Sequence, residues 1–288
     1  MALLTVIAAT GLSVFVGTAV TALLCVGPQR LSRATNDLND RLRDVAPYLG
    51  TAVALLALKQ VTQGYRIRLS RALDWTITDE LYAIDGQFVA GLQRATPDLL
   101  LEPFSAAYML GFALLLAAGP AVYLLAGGAG QRHLKELLVA YMLNYSVGTI
   151  CYTLFIGYGP RRYLDSVDGL MYRFYPGTQE LTAAVASNTN VFPSLHASLS
   201  IAVFAVAWRS RRQFPRWAGI SGALAAAVVY STMYLGIHWA ADVVAGALLG
   251  VGSVAAATRI VDRVETGAMV TDADARDGAM PEGRSGDD

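Results

Sequence analysis

Seven apolar stretches leave this chain little choice of environment. They fall at 2–26, 45–61, 105–125, 137–157, 194–208, 217–235 and 239–260. A helix needs about 20 apolar residues to cross a bilayer's hydrocarbon core. A backbone immersed in lipid must close its hydrogen bonds within itself. The pattern therefore predicts an all-α, polytopic membrane helical bundle of six or seven transmembrane helices. The run 45–61 is the weakest of them, because Lys59 stands near its end. The first run, Ala2–Val26, carries no charge and has no basic segment before it, so it reads as a retained anchor. Composition agrees: 15% of residues are charged, where soluble domains have about a quarter.

The connections are polar and unequal. Residues 28–44 hold Arg30, Arg33, Arg41 and Arg43. The long segment 64–103 holds Arg66, Arg68 and Arg71, then Asp74, Asp79, Glu80 and Asp85. Within it Leu81, Phe88, Val89 and Leu92 recur at helical spacing, which makes 76–93 an amphipathic interfacial helix or a plain surface helix. No role attaches to Asp85-Gly86. The glycines of 127–130 turn the chain between two spans. From 262 to 288 the chain is acidic without apolar pattern and reads as disordered.

Net charge is +0, so nothing draws the chain to nucleic acid, and no nucleic-acid partner is expected. Cys25 and Cys151 each lie inside an apolar run and read as free thiols. No CxxC and no Cys/His cluster appears, so neither a metal nor another cofactor is expected.

Three histidines remain. His238 and Asp242 are four apart, hence on one face if that run is helical. A carboxylate there orients the imidazole and frees its other nitrogen to attack or accept a proton. The same pair could equally cap a membrane helix at its wet end. Pro193 and Ser194 open another run, with N–H groups free at the helix start to meet an anion. His196 lies close by, placed to give a proton to a leaving oxygen. His133, in a short basic segment, reads as a solvated surface group.

Pro193-Ser194-Leu195-His196, followed by Ser231-Thr232, His238 and Asp242, resembles the second and third signature motifs of the type 2 phosphatidic acid phosphatase superfamily, which also contains the vanadium haloperoxidases. Leu195 replaces the usual glycine and Thr232 the usual arginine. Both changes make the chain more similar to the inositol phosphorylceramide synthase-like branch. Gly159-Pro160-Arg161-Arg162 occupies the place of the first motif. The resemblance spans about residues 133–260 and is looser upstream. It implies a phosphatase-type helical core in which His238 is the nucleophile and becomes a phosphohistidine. Asp242 would orient it, and His196 would protonate the leaving oxygen. Arg161, Arg162, Ser194, Leu195, Ser231 and Thr232 would hold the phosphate, with no metal. The implied substrate is a membrane lipid, a phospholipid or prenyl phosphate. Hydrolysis and headgroup transfer both stay open, as does a non-catalytic lipid-binding or transport protein of the same fold. The resemblance divides the chain into membrane spans and an interfacial helix at 1–103, a catalytic core at 104–261 and a tail at 262–288. The segment 164–191 would cover the site.

The three motifs close at one face. Opposite them lie Arg209, Arg211, Arg212 and Arg216, with Arg132 and Lys135 on the same side. Short arginine-rich loops stay cytoplasmic. That predicts a multi-pass cell-membrane protein with an extracytoplasmic site, a cytoplasmic C-terminus and an external N-terminus. Arg66, Arg68, Arg71 and Arg94 count against it.

Overall fold

The apolar runs become helices that solvate one another and present their remaining faces to lipid. The computed structural model describes residues 2–174 and 189–277. Thirteen α-helices follow in order among those residues: α1 (Ala2–Val26), α2 (Pro28–Val61), α3 (Gln63–Leu73), α4 (Thr78–Asp85), α5 (Phe88–Ala95), α6 (Leu101–Ala106), α7 (Phe112–Ala126), α8 (Gly128–Leu154), α9 (Pro160–Tyr163), α10 (Leu170–Phe174), α11 (Leu195–Arg209), α12 (Pro215–Tyr234) and α13 (Ala240–Asp277). A π-helical turn, Ala107–Gly111, joins α6 to α7. The described residues contain no strand, only an isolated parallel bridge between Thr76 and Ile156.

Four segments are long and apolar enough to cross a membrane alone: Ile7–Val26, Asp98–Ala126, Gly130–Leu154 and Ala240–Gly267. The pair α2–α3, bent by 57°, makes a fifth. Helices α11 and α12 escape that test because they are shorter or less apolar. They sit inside the bundle, where Val203, Val206, Trp217 and Val228 are fully buried. Each of the seven expected runs thus falls on a helix. Leu115, Leu137, Val203 and Trp217 share the central cluster. Helix α13 reaches α11 through Gly246, where an added Cβ would collide with the Ser194 carbonyl. Small residues permit such close approach in lipid, where the hydrophobic effect does not drive helices together. Leu12, Phe15, Val53, Leu56 and Leu248 face outward, as lipid-exposed positions should.

Chain direction sorts the loops to two ends. At one end Arg216 donates to the Leu24 carbonyl at 3.0 Å, and Arg41 to the carbonyls of Leu124 and Leu125 at 3.2 and 3.1 Å. These arginines satisfy orphan helix-end carbonyls of α1 and α7. The other end gathers α9, the C-termini of α8 and α12, and the N-termini of α11 and α13.

Several elements differ from the sequence reading. Helix α2 begins at Pro28, so the polar stretch before residue 45 is helical. Helix α8 begins at Gly128, which places Arg132, His133, Lys135 and Glu136 on a helix. His133 is not a solvated surface group: its Nδ1 lies 3.3 Å from Glu136 and its ring 5.6 Å from Tyr123. The reason is Glu136. Its side chain is fully buried and gathers Arg132 at 3.2 Å and Arg209 at 3.5 Å as well. A buried carboxylate needs such company. The segment 76–93 is two helices, α4 and α5, meeting at Gly86. Leu81, Val89 and Ala90 are buried beside Trp239, Val191 and Val167. At the C-terminal end α13 runs on to Asp277, past residue 262. Arg132 pairs with Asp262 and Lys135 with Glu265, tying this extension to α8. Residues 278–288 lie outside the described residues.

Candidate active site

Each reactive group enters from a helix end, and hydrogen bonds between loops bring those ends together. Ser194 caps α11: its Oγ accepts the Ala197 N–H at 3.3 Å, and its own N–H donates to the Asp242 carbonyl at 3.0 Å. The second bond fixes the start of α11 to the first turn of α13. Tyr152 of α8 donates to the Pro193 carbonyl at 2.9 Å, beside a cis Phe192–Pro193 bond. His196 then sits in the first turn of α11, sandwiched by Tyr108 of the π turn and Phe112, with ring centroids at 4.6 and 4.4 Å. A π turn inside a transmembrane helix often marks a functional position.

The third motif supplies His238. Helix α12 ends at Tyr234, and Gly236 makes the turn with φ +69°, where a side chain would be strained and would press on Val167. The Thr232 carbonyl accepts both the Ile237 and His238 N–H groups at 3.0 Å. The Gly236 carbonyl accepts the Arg161 N–H at 3.1 Å, so the first motif docks on the third. His238 is buried, its ring 6.0 Å from that of His196. Its Nδ1 stands 3.5 Å from Asp242 Oδ2, without hydrogen-bond alignment, and that oxygen already accepts the Trp239 N–H at 2.9 Å. Burial, and then the positive charge of Arg161, hold the His238 imidazole below its usual pKa; a main-chain hydrogen bond with Val191 works the other way.

The two histidines face a cavity of about 240 Å³. Its walls include Arg161, Arg162, Tyr108, Tyr152 and Leu195. Arg161 is half-buried. It donates to the Tyr172 hydroxyl at 3.2 Å and lies over that ring, while its buried Nη1 has no partner among the described residues. Arg162 is exposed at the rim. Thus both arginines reach the cavity, with Arg161 presenting the free donor.

Two expected phosphate ligands are not brought there. The Ser231 and Thr232 hydroxyls donate back to the carbonyls of Val228 and Val229, at 2.7 Å each, and neither residue lines the cavity. Inside a helix a hydroxyl satisfies itself this way when no better acceptor is near. Of the segment expected to cover the site, residues 175–188 lie outside the described residues, while Tyr172 and Val191 do form wall.

One residue was missed. The Asp85 carboxylate, at the end of α4, accepts the N–H of Ala240 and, at 3.2 Å, that of Ala241. It therefore occupies the N-terminus of α13, the favourable end of the helix dipole for an anion. Burial raises its pKa and the two N–H donors oppose that rise. The only signal in the sequence was the Asp-Gly pair, which says helix end without saying whose.

A family model described as PAP2 superfamily matches residues 84–256. The chain belongs to the PAP2 superfamily. The match begins upstream of the recognised motifs and takes in Asp85 as well as Arg161, His196, His238 and Asp242. The crystal structure of Aquifex aeolicus LpxE is similar at 21% identity with a TM-score of 0.47, covering 61% of this chain and 95% of that one. No curated protein matches the chain. Helices α1, α2 and α3 precede the family segment.

Proposed function

We propose that this protein is an integral membrane lipid phosphatase of the PAP2 type, working through a covalent phosphohistidine. The observation that carries the reading is the juxtaposition of His196 and His238 at 6.0 Å with the free Nη1 of Arg161 in one cavity. His238 attacks phosphorus with a ring-nitrogen lone pair, and the bond to the lipid oxygen breaks. His196 gives that oxygen its proton. Water then attacks the phosphohistidine, loses a proton to His196, and phosphate leaves. Arg161, the cavity-lining Arg162 and the main chain near Ser194 and Leu195 meet the charge on the equatorial oxygens. Asp242 holds His238 in orientation. The depressed basicity of His238 keeps it neutral, as a nucleophile must be.

Leu195 and Thr232 favour a second reading, transfer of a phosphoryl headgroup to another lipid as in the inositol phosphorylceramide synthase-like branch. Thr232 brings no positive charge at the position of the usual arginine and its hydroxyl turns away, and a weaker cage suits a phosphodiester donor better than a dianionic monoester. The arginine-rich end around Arg209–Arg216, opposite the cavity, supports an extracytoplasmic site, since short arginine-rich loops stay cytoplasmic.

The test is phosphate release from a short-chain phosphatidic acid and a prenyl phosphate in detergent with EDTA, for wild type, His238→Ala and His196→Ala. The expected losses are about 10³-fold or more for His238→Ala and about 10²–10⁴-fold for His196→Ala. Release that persists in His238→Ala would refute the nucleophile. Labelled headgroup appearing on an added acceptor lipid, with no free phosphate, would establish transfer instead.

A further inference from the structure

Three cavities meet at one lysine. Lys59, near the end of α2, lines the histidine cavity, an apolar groove of about 290 Å³ between α2 and α8, and a polar cavity of about 660 Å³ against α3. The α2–α3 bend at Thr62 creates this junction. The Thr62 hydroxyl donates to the Leu58 carbonyl at 2.6 Å, and Arg66 Nη2 donates to the Lys59 carbonyl at 2.9 Å.

The charges there are unbalanced. Lys59 has no carboxylate within ion-pairing distance among the described residues, and its ammonium lies 5.3 Å from the Tyr145 ring centroid. The Nε of Arg66 is buried without a partner among the described residues. Arg71, Ser70 and Thr149 add to the polar cavity, and among the described residues no carboxylate lines it. Ionisable side chains at membrane depth are costly unless something compensates them. Here the missing compensation is an anion. An apolar groove that ends at a cation fits an amphiphile, chain in the groove and charge at Lys59.

Lys59, Tyr152 and Asn190 line both the histidine cavity and the polar cavity, so the two adjoin. Anions held in two cavities that adjoin at one lysine fit neighbouring groups of one ligand, as in a diphosphate. We propose that Lys59 and Arg66 form a second anion subsite that holds the non-reacting phosphate of a lipid diphosphate, its chain lying in the α2/α8 groove and its terminal phosphate at His238. The subsite stands on helices outside the family segment, and only the fate of the terminal phosphate rests on the phosphatase reading.

The experiment measures binding first, on the purified full-length protein in detergent. The probes are farnesyl methylenediphosphonate, farnesyl phosphonate and inorganic pyrophosphate, with wild type, Lys59→Met and Lys59→Arg, each checked for folding by thermal unfolding. Wild type is expected to hold the diphosphonate about 10-fold tighter than the monophosphonate, a ratio that falls below about 3 in Lys59→Met and returns in Lys59→Arg. An unchanged ratio in a folded Lys59→Met would overturn the subsite. Pyrophosphate binding as tightly as the diphosphonate would overturn the place given to the chain. Turnover of farnesyl diphosphate and monophosphate then separates the two ideas. No turnover by wild type, with the Lys59-dependent ratio intact, would sink the phosphatase reading and leave the subsite standing.

Discussion

Replacing Asp85 by asparagine asks how far the reaction centre depends on a carboxylate that does not line the cavity. Asp85 accepts two N–H groups of the first turn of α13, and the same turn carries Asp242, with His238 just before it. Hydrogen bonds to a charged group contribute about 1.5–3 kcal/mol each and neutral ones about 0.5–1.5. Asp85 is half-exposed, so the low end applies. Asparagine keeps one acceptor oxygen, leaving one neutral bond where two charge-assisted ones stood. The loss is about 2 kcal/mol, and about 3 for Asp85→Ala. Loosening this turn lets Asp242 and His238 drift from the geometry the reaction needs. If the transition state feels about 1–2 kcal/mol of that loss, kcat falls about 5- to 30-fold. KM should hardly change, because Asp85 touches neither arginine nor the cavity. The assay is steady-state phosphate release well below the unfolding temperature, beside a thermal melt in detergent. A lowered Tm with kcat within about 2-fold of wild type would refute the positioning argument and leave Asp85 a helix cap only.

Four further outcomes follow from other contacts. Because burial and Arg161 depress the basicity of His238, the acid limb of kcat/KM should lie well below the usual histidine value of about 6.5; a half-maximum near 6.5 would contradict it. The same depression means the unfolded chain takes up that proton first, so this histidine withdraws stability progressively as pH falls below about 6.5, which melts at two pH values would show. Glu136→Gln should lower stability by about 1–2 kcal/mol without abolishing turnover, since the half-exposed Arg132 and Arg209 recover water when the buried charge is lost; a melt unchanged from wild type would remove the cluster's structural role. Ser231→Ala and Thr232→Val should each leave kcat/KM within about 3-fold, because both hydroxyls bond back to their own helix; a loss above about 30-fold would restore them as phosphate ligands.

The spans were legible because lipid imposes one period and one length on any run that crosses it. Their ends were not. Pro28 and Gly128 start helices through polar stretches, and Asp262 and Glu265 stay helical, because Lys135 pairs with Asp44 and Glu265, and Arg132 with Asp262, across the bundle. Those ion pairs join residues far apart in the chain, so no local pattern announces them. The histidines were legible by spacing and setting, His238 with Asp242 and His196 behind Pro193-Ser194. His133 was misread because its partner, Glu136, is buried by helices the local pattern does not reveal.

Sequence by itself determined that this chain lives in a membrane as helices and which reactive side chains stand at helix mouths, since both follow from local apolar length and short-range spacing. Tertiary structure decided which of those mouths face one cavity. It turned Arg161 inward and Ser231 and Thr232 away, and set Asp85 on the first turn of α13. It also stood Lys59 where three cavities meet. Each of these depends on a contact between elements distant in the chain, and such contacts are chosen by packing and by the need to satisfy buried polar groups.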